Sequence, residues 1–235
     1  MFERVLDLFA RRPPRFWLML AGVVVALLCF EEVVDDVFRD PKEGDFEAET
    51  FDYSISQFVR EFRSARLTQV MTDLTALGSI SVIVVLFVLF VSVLASFRDF
   101  KGIAFLSILL GGAGLWPYLL KLYFARARPT QDGWLVNVSD LSFPSGHAFG
   151  AAAMYVGFAY YASRYAKRWG EEVFFYFLGG LLALLVGISR IYLGVHHSTD
   201  VIAGLSGGIA WGLTGALAYE LLVSPKCKRS FNPNS

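Results

Sequence analysis

Residues 74–97 read LTALGSISVIVVLFVLFVSVLASF, a stretch without a charged side chain and long enough, as a helix, to cross a hydrocarbon core of about 30 Å. Residues 102–120 and 201–219 share both properties. Three weaker stretches follow the same pattern. Leu141 to Ser163 is interrupted only by His147, Val173 to Ser189 is shorter, and Phe16 to Phe30 is shortest and runs into Glu31 and Glu32. The composition agrees, since 55% of the 235 residues are hydrophobic and the mean hydropathy is +0.52, which points away from an ordinary soluble fold. The reading is an all-α polytopic membrane protein with six transmembrane helices, forming a single domain over residues 1–235.

The charges are arranged in alternation. Arg4, Arg11, Arg12 and Arg15 precede the first span, Arg98 and Lys101 follow the second, Arg164, Lys167 and Arg168 follow the fourth, and Lys226, Lys228 and Arg229 follow the sixth. With six spans these four segments share one face, which the positive-inside rule places in the cytoplasm together with both termini. The arginines before Phe16 also suit a signal peptide, but no small-residue cleavage site follows Cys29 and Phe30, so an uncleaved helix is expected. Cys29 and Cys227 fall on opposite faces and are not expected to pair. A net charge of zero is silent on nucleic acid, and none is expected as a partner.

The outer face receives the acidic stretch 31–52 and a segment in which Phe51, Ile55, Phe58 and Phe62 recur at helical spacing opposite Asp52, Gln57, Arg60, Glu61 and Arg63. That pattern fits an amphipathic helix lying in the outer interface, or equally one packed across the span ends. Neither reading gives it a catalytic role. Gly204, Gly208 and Gly212 in the last span, and Gly179, Ala183 and Gly187 in the fifth, form small-residue stripes suited to close helix packing more than to a substrate groove. Pro117 is expected to kink the end of the third span.

The same outer face holds Lys121, Arg128-Pro129, Pro144-Ser145-Gly146-His147, and Ser189-Arg190 followed by His196 and Asp200. Cations there run against the charge rule, which suggests that function keeps them. Phosphoryl transfer needs cations and N–H donors around the equatorial oxygens, an in-line nucleophile, and an acid for the leaving oxygen. His196 and Asp200 are four apart, on one face if a helix begins near them, so the carboxylate can fix the imidazole tautomer and leave the other nitrogen free to attack. His147, entering a helix behind Ser145 and Gly146, is the candidate general acid. A helix cap by Ser145 explains that tetrapeptide equally well on its own. Lys121 and Arg128 lie two turns apart if their helix continues past Pro117, and Arg190 comes from another helix. Single cations at helix ends commonly just snorkel. His147, His196, His197 and Asp200 include acceptable zinc ligands, but neighbouring cations oppose a metal. His197 points about a quarter-turn away and has no assigned role.

These three blocks, in this order, resemble the signature of the type 2 phosphatidic acid phosphatase (PAP2) superfamily, and six spans resemble its membrane branch. The resemblance covers about residues 51–222. It implies a lipid phosphatase in which Lys121, Arg128, Ser145, Gly146, His147 and Arg190 bind phosphate and His196 becomes a phosphohistidine supported by Asp200. It further implies that His147 protonates the leaving oxygen and that no metal or other cofactor is needed. Bacterial phosphatidylglycerophosphate and undecaprenyl diphosphate phosphatases are nearest in size and layout, so a bacterial cytoplasmic membrane with an external site is expected. Phosphatidylglycerol phosphate, phosphatidic acid, undecaprenyl diphosphate and lipid A 1-phosphate all remain candidate substrates. A lipid phosphotransferase using the same histidine is the nearest alternative. A transporter or scramblase is a different class, but it would spread charges through the spans and not gather them at one end.

Overall fold

The computed structural model describes residues 13–38 and 47–222, and among them every regular element is helical. In chain order these are α1 (Pro14–Phe38), α2 (Glu47–Glu61), α3 (Ala65–Ala76), α4 (Ile80–Ser96), α5 (Phe100–Phe124), a 3₁₀ turn (Gln131–Gly133), α6 (Gly146–Ser163), α7 (Trp169–Tyr192) and α8 (Ser198–Leu222). Four helices, α1, α5, α7 and α8, are long and apolar enough to cross a membrane, and α3 with α4 makes a fifth if that pair is one span bent by 48°. Leu27, Val85, Leu89, Tyr118 and Phe177 face outward on four of these helices. In water that belt would be an unusually large apolar surface, whereas in lipid it is the required one.

The sequence at 74–97 reads as one continuous helix, and here the structure differs. The chain breaks at Leu77–Ser79, and Ser79 starts α4 anew by accepting a hydrogen bond from the Val82 N–H (3.3 Å). Gly78 occupies the elbow because nothing larger fits: a Cβ there would lie 2.4 Å from Val186 on α7 and 3.1 Å from the His147 carbonyl oxygen on α6.

At the centre stands α6, buried along nearly its whole length. It begins at Gly146, so Leu141 to Ser145 of the expected fourth span are loop. Its sheath is α8, α7 and α5. The glycine stripes serve that packing and form no groove. A Cβ at Gly204, Gly208 or Gly212 would fall 2.6, 2.4 or 3.0 Å from the carbonyl oxygens of Ser145, Phe149 and Ala153, and one at Gly179 would fall 2.8 Å from that of Tyr155.

The molecule has two distinct ends. At one, Arg15 at the start of α1 pairs with Glu220 near the end of α8 (3.0 Å), and Tyr161 of α6 donates to Asp99, which caps α5. Arg98, Lys101, Arg164, Lys167 and Arg168 belong to this end. Arg4, Arg11, Arg12, Cys227 and the tail cations lie outside the described residues. At the other end the C-termini of α5 and α7 meet the N-termini of α6 and α8. Phe143 is fully buried there against Phe30, Phe38 and Phe124, which ties α1 to the loop before α6.

Candidate active site

The loop between α5 and α6 sets this end. α5 passes through the buried Pro117 and continues to Phe124, where Ala125 takes a left-handed conformation (φ 48°) and ends it. Arg128 is therefore on a loop and not two turns along the helix from Lys121. The two cations meet all the same, because Asp140 returns between them. Lys121 Nζ lies 2.8 Å from Asp140 Oδ2 and Arg128 Nη2 lies 2.5 Å from Oδ1. Lys121 also donates to the Leu141 carbonyl, and Arg128 Nε to that of Asp140 (2.7 Å). Burial alone would raise the Asp140 carboxyl, but the Lys121 hydrogen bond and the charges of Lys121 and Arg128 outweigh it and hold it at about 2. An anion thus already occupies the bridging position between the two cations. A cavity of about 410 Å³ opens beside it, lined by Arg126, Arg128, Trp134, Asp140 and Leu141.

His196 lies in the turn before α8, not on the helix, while Asp200 sits in its first turn. Asp200 Oδ2 accepts from the His197 N–H (2.9 Å) and from Ser142 Oγ, and lies 3.4 Å from His196 Nδ1. His196 Nε2 lies 3.2 Å from Arg128 Nη1. A guanidinium only donates, so this contact assigns the lone pair to Nε2 and the proton to Nδ1, facing Asp200. His196 is 4% exposed, and burial depresses its pKa to about 4 against the pull of Asp200, with Arg128 and Arg190 depressing it further. The imidazole is neutral at neutral pH, and its free nitrogen points into a cationic pocket.

Arg190, at the end of α7, is 3% exposed. Its Nη1 donates to Thr75 of α3 (3.0 Å), it meets no carboxylate among the described residues, and its buried Nε has no hydrogen-bond partner. Ser145 precedes α6, but its side chain does not cap the helix, and its buried Oγ is likewise without a partner among the described residues. His147 stands one residue inside α6, with Arg190, His196, Asp140 and Arg128 as electrostatic neighbours. The N-terminus of α8 is closed differently. The Thr199 N–H donates to Asp52 of α2 (2.9 Å), and His197 Nδ1 lies 3.8 Å from the same carboxylate. Between the N-termini of α6 and α8, the one at α6 has no side-chain cap among the described residues and suits an anion.

All eight residues singled out in the sequence, Lys121, Arg128, Ser145, Gly146, His147, Arg190, His196 and Asp200, lie at this one end. Sequence reading missed Asp52, Thr75, Arg126, Asp140 and Ser142, which hold them. Arg126 and Asp140 carried a weak signal as further charges on the outer loop of Arg128. Asp52 carried none, being one acid among several.

Residues 100–222 match the PAP2 superfamily. Phosphatidylglycerophosphatase B of Bacillus subtilis strain 168 is 35% identical over 159 residues, covering 67% of this chain and 78% of that protein. A lipid A 1-phosphatase of Rhizobium etli is 32% identical over 116 residues, covering 46% of each. The crystal structure of a transmembrane PAP2-type phosphatidylglycerolphosphate phosphatase from Bacillus subtilis matches with a TM-score of 0.77 at 29% identity, covering 87% of this chain and 98% of that one. The matched segment contains the three motif blocks and the helix ends that bring them together, and this chain belongs to the PAP2 superfamily.

Proposed function

We propose that the chain is a lipid phosphate phosphatase of a bacterial cytoplasmic membrane that works through a phosphohistidine at His196. The observation that carries this reading is the buried neutral imidazole with Nδ1 toward Asp200 and Nε2 toward the cations. Nε2 attacks phosphorus, the bond to the lipid oxygen breaks, and His147 gives that oxygen a proton. Water then attacks the phosphohistidine, His147 takes back a proton, and the P–N bond breaks to release phosphate and neutral His196. Lys121, Arg128 and Arg190 carry the charge of the equatorial oxygens, and Ser145 Oγ with the N–H groups opening α6 supplies donors. The unpartnered Ser145 Oγ and Arg190 Nε support this, since a phosphate oxygen satisfies both. The guanidinium 3.2 Å from His196 Nε2 disfavours a metal ion at that nitrogen.

In this reading six spans cross the bilayer: α1, the bent pair α3–α4, α5, α6, α7 and α8. Sheathed by its neighbours, α6 needs no lipid-facing apolar surface of its own. α2 lies in the outer interface, with Phe51, Phe58 and Phe62 outward and Asp52 inward. The site faces outward, and the end bearing Arg98, Lys101 and Lys167 is cytoplasmic. The names of the relatives direct the substrate panel toward phosphatidylglycerol phosphate, phosphatidic acid, undecaprenyl diphosphate and lipid A 1-phosphate. The test is phosphate release by the purified chain in detergent across that panel, without an acceptor lipid. Release from at least one supports the reading, and release from none overturns it.

A further inference from the structure

Asp200 presents two oxygens, and only Oδ2 faces His196. Oδ1 is held by Arg126, whose Nη1 donates to it at 2.6 Å and to Thr199 Oγ1 at 2.8 Å. The other arm of the guanidinium, Nη2, donates to Asp52 Oδ2 at 2.9 Å, and Asp52 also accepts from Thr199 Oγ1 (2.7 Å) and the Thr199 N–H (2.9 Å). The side chains of Asp52, Arg126 and Asp200 are 4%, 14% and 0% exposed. One guanidinium thus spans two buried carboxylates from α2 and α8, a geometry that needs the planar fork of arginine. A carboxylate free to turn would divide its time between rotamers and orient the imidazole less well. With one oxygen pinned, the other is fixed on Nδ1, and the Nε2 lone pair keeps its line to phosphorus.

We propose that Arg126 and Asp52 are positioning residues for the nucleophile, so that α2, outside the three motif blocks, is part of the catalytic apparatus. The proposal rests on His196 as nucleophile. Neither residue touches phosphate in this arrangement, so their loss acts on turnover and not on substrate capture.

The experiment is steady-state kinetics of the purified full chain in detergent, on a lipid phosphate and on nitrophenyl phosphate, with melting temperatures measured in parallel. Asp52→Asn keeps the shape and removes the charge. The expected result is a kcat lowered about 10- to 100-fold on both substrates with KM within about twofold of wild type, the usual cost of losing an outer partner. Asp52→Glu recovers part of that loss. Arg126→Lys, which keeps the charge but reaches only one carboxylate, shows the same kcat defect and carries the test if Asp52→Asn does not fold. A folded Asp52→Asn protein with unchanged kcat, or one with raised KM at full kcat, overturns the proposal alone. No phosphate release by the wild type from either substrate overturns the phosphatase reading and this proposal with it.

Discussion

His196 makes the bond to phosphorus in the proposed reaction, whereas His147 only moves a proton, so the two histidines fail differently. His196→Asn abolishes turnover on every substrate. His147→Ala loses about 10²- to 10⁴-fold in kcat/KM, which reports the step that expels the leaving group, on a lipid phosphate whose alkoxide needs the proton, and much less on nitrophenyl phosphate, whose leaving group does not. Equal losses of kcat/KM on both substrates contradict the assignment. Acid acts through His196 as well. Its neighbours are Asp200, Arg128, Arg190, His147 and Ser142, and burial with the two guanidinium charges outweighs the pull of Asp200 to hold it at about 4. The nucleophile is therefore intact at pH 6, and its own protonation lowers kcat/KM only as pH drops through about 4. An acid limb near the ordinary histidine value of about 6.5 that the ionisation of the substrate phosphate does not account for contradicts this environment. Asp140 gives a third test: substrate phosphate must displace its carboxylate from Lys121 and Arg128, so Asp140→Asn lowers KM by about two- to fivefold, in line with a partly exposed ion pair. The motif residues of this site were legible because their types and spacing are local to the chain. Their holders were not: Asp52 lies 147 positions from the Thr199 it caps, and nothing in a run of acidic residues marks which one turns inward.

Among the elements, the bent pair and the central helix were the hardest to read. Residues 74–97 are uncharged throughout, so hydropathy does not announce the break at Leu77–Ser79; its local mark is Gly78 followed by the capping Ser79, and Gly78 stands where Val186 and the His147 backbone approach. α6 was legible as an apolar stretch, but its place at the centre follows from the small residues that α8 and α7 turn toward it. A Cβ at Gly208 meets the Phe149 carbonyl oxygen at 2.4 Å, a backbone atom with no freedom to move aside. Gly208→Ala is expected to destabilise the protein by about 1–3 kcal/mol, the range for overpacking a close contact. Gly111→Ala on α5, where a Cβ meets no other described element within 4 Å, is neutral or slightly stabilising through helix propensity. Thermal unfolding of the two variants in the same detergent compares them directly, and equal melting temperatures contradict the packing assigned to the stripe.

Across the whole molecule, the ends differ in charge and chemistry, and the proposed orientation follows from that difference. Single cysteines introduced near Trp134, in the loop before α6, react with an impermeant reagent on intact cells, whereas cysteines at Lys101 and Lys167 react only after lysis. The reverse pattern inverts the topology. Orthovanadate, which becomes five-coordinate on a histidine, inhibits turnover, and EDTA leaves it unchanged. Loss of activity in EDTA with recovery on adding a divalent ion contradicts a site built from protein cations alone. The central claim is the bond between His196 and phosphorus. It is tested most directly by mass spectrometry of the His147→Ala protein quenched in alkali during turnover of nitrophenyl phosphate, because the missing proton acceptor slows attack by water and lets the intermediate accumulate. The expected result is an acid-labile phosphate on the peptide containing His196. Phosphate on any other residue, or steady release with no phosphorylated protein at any quench time, contradicts it.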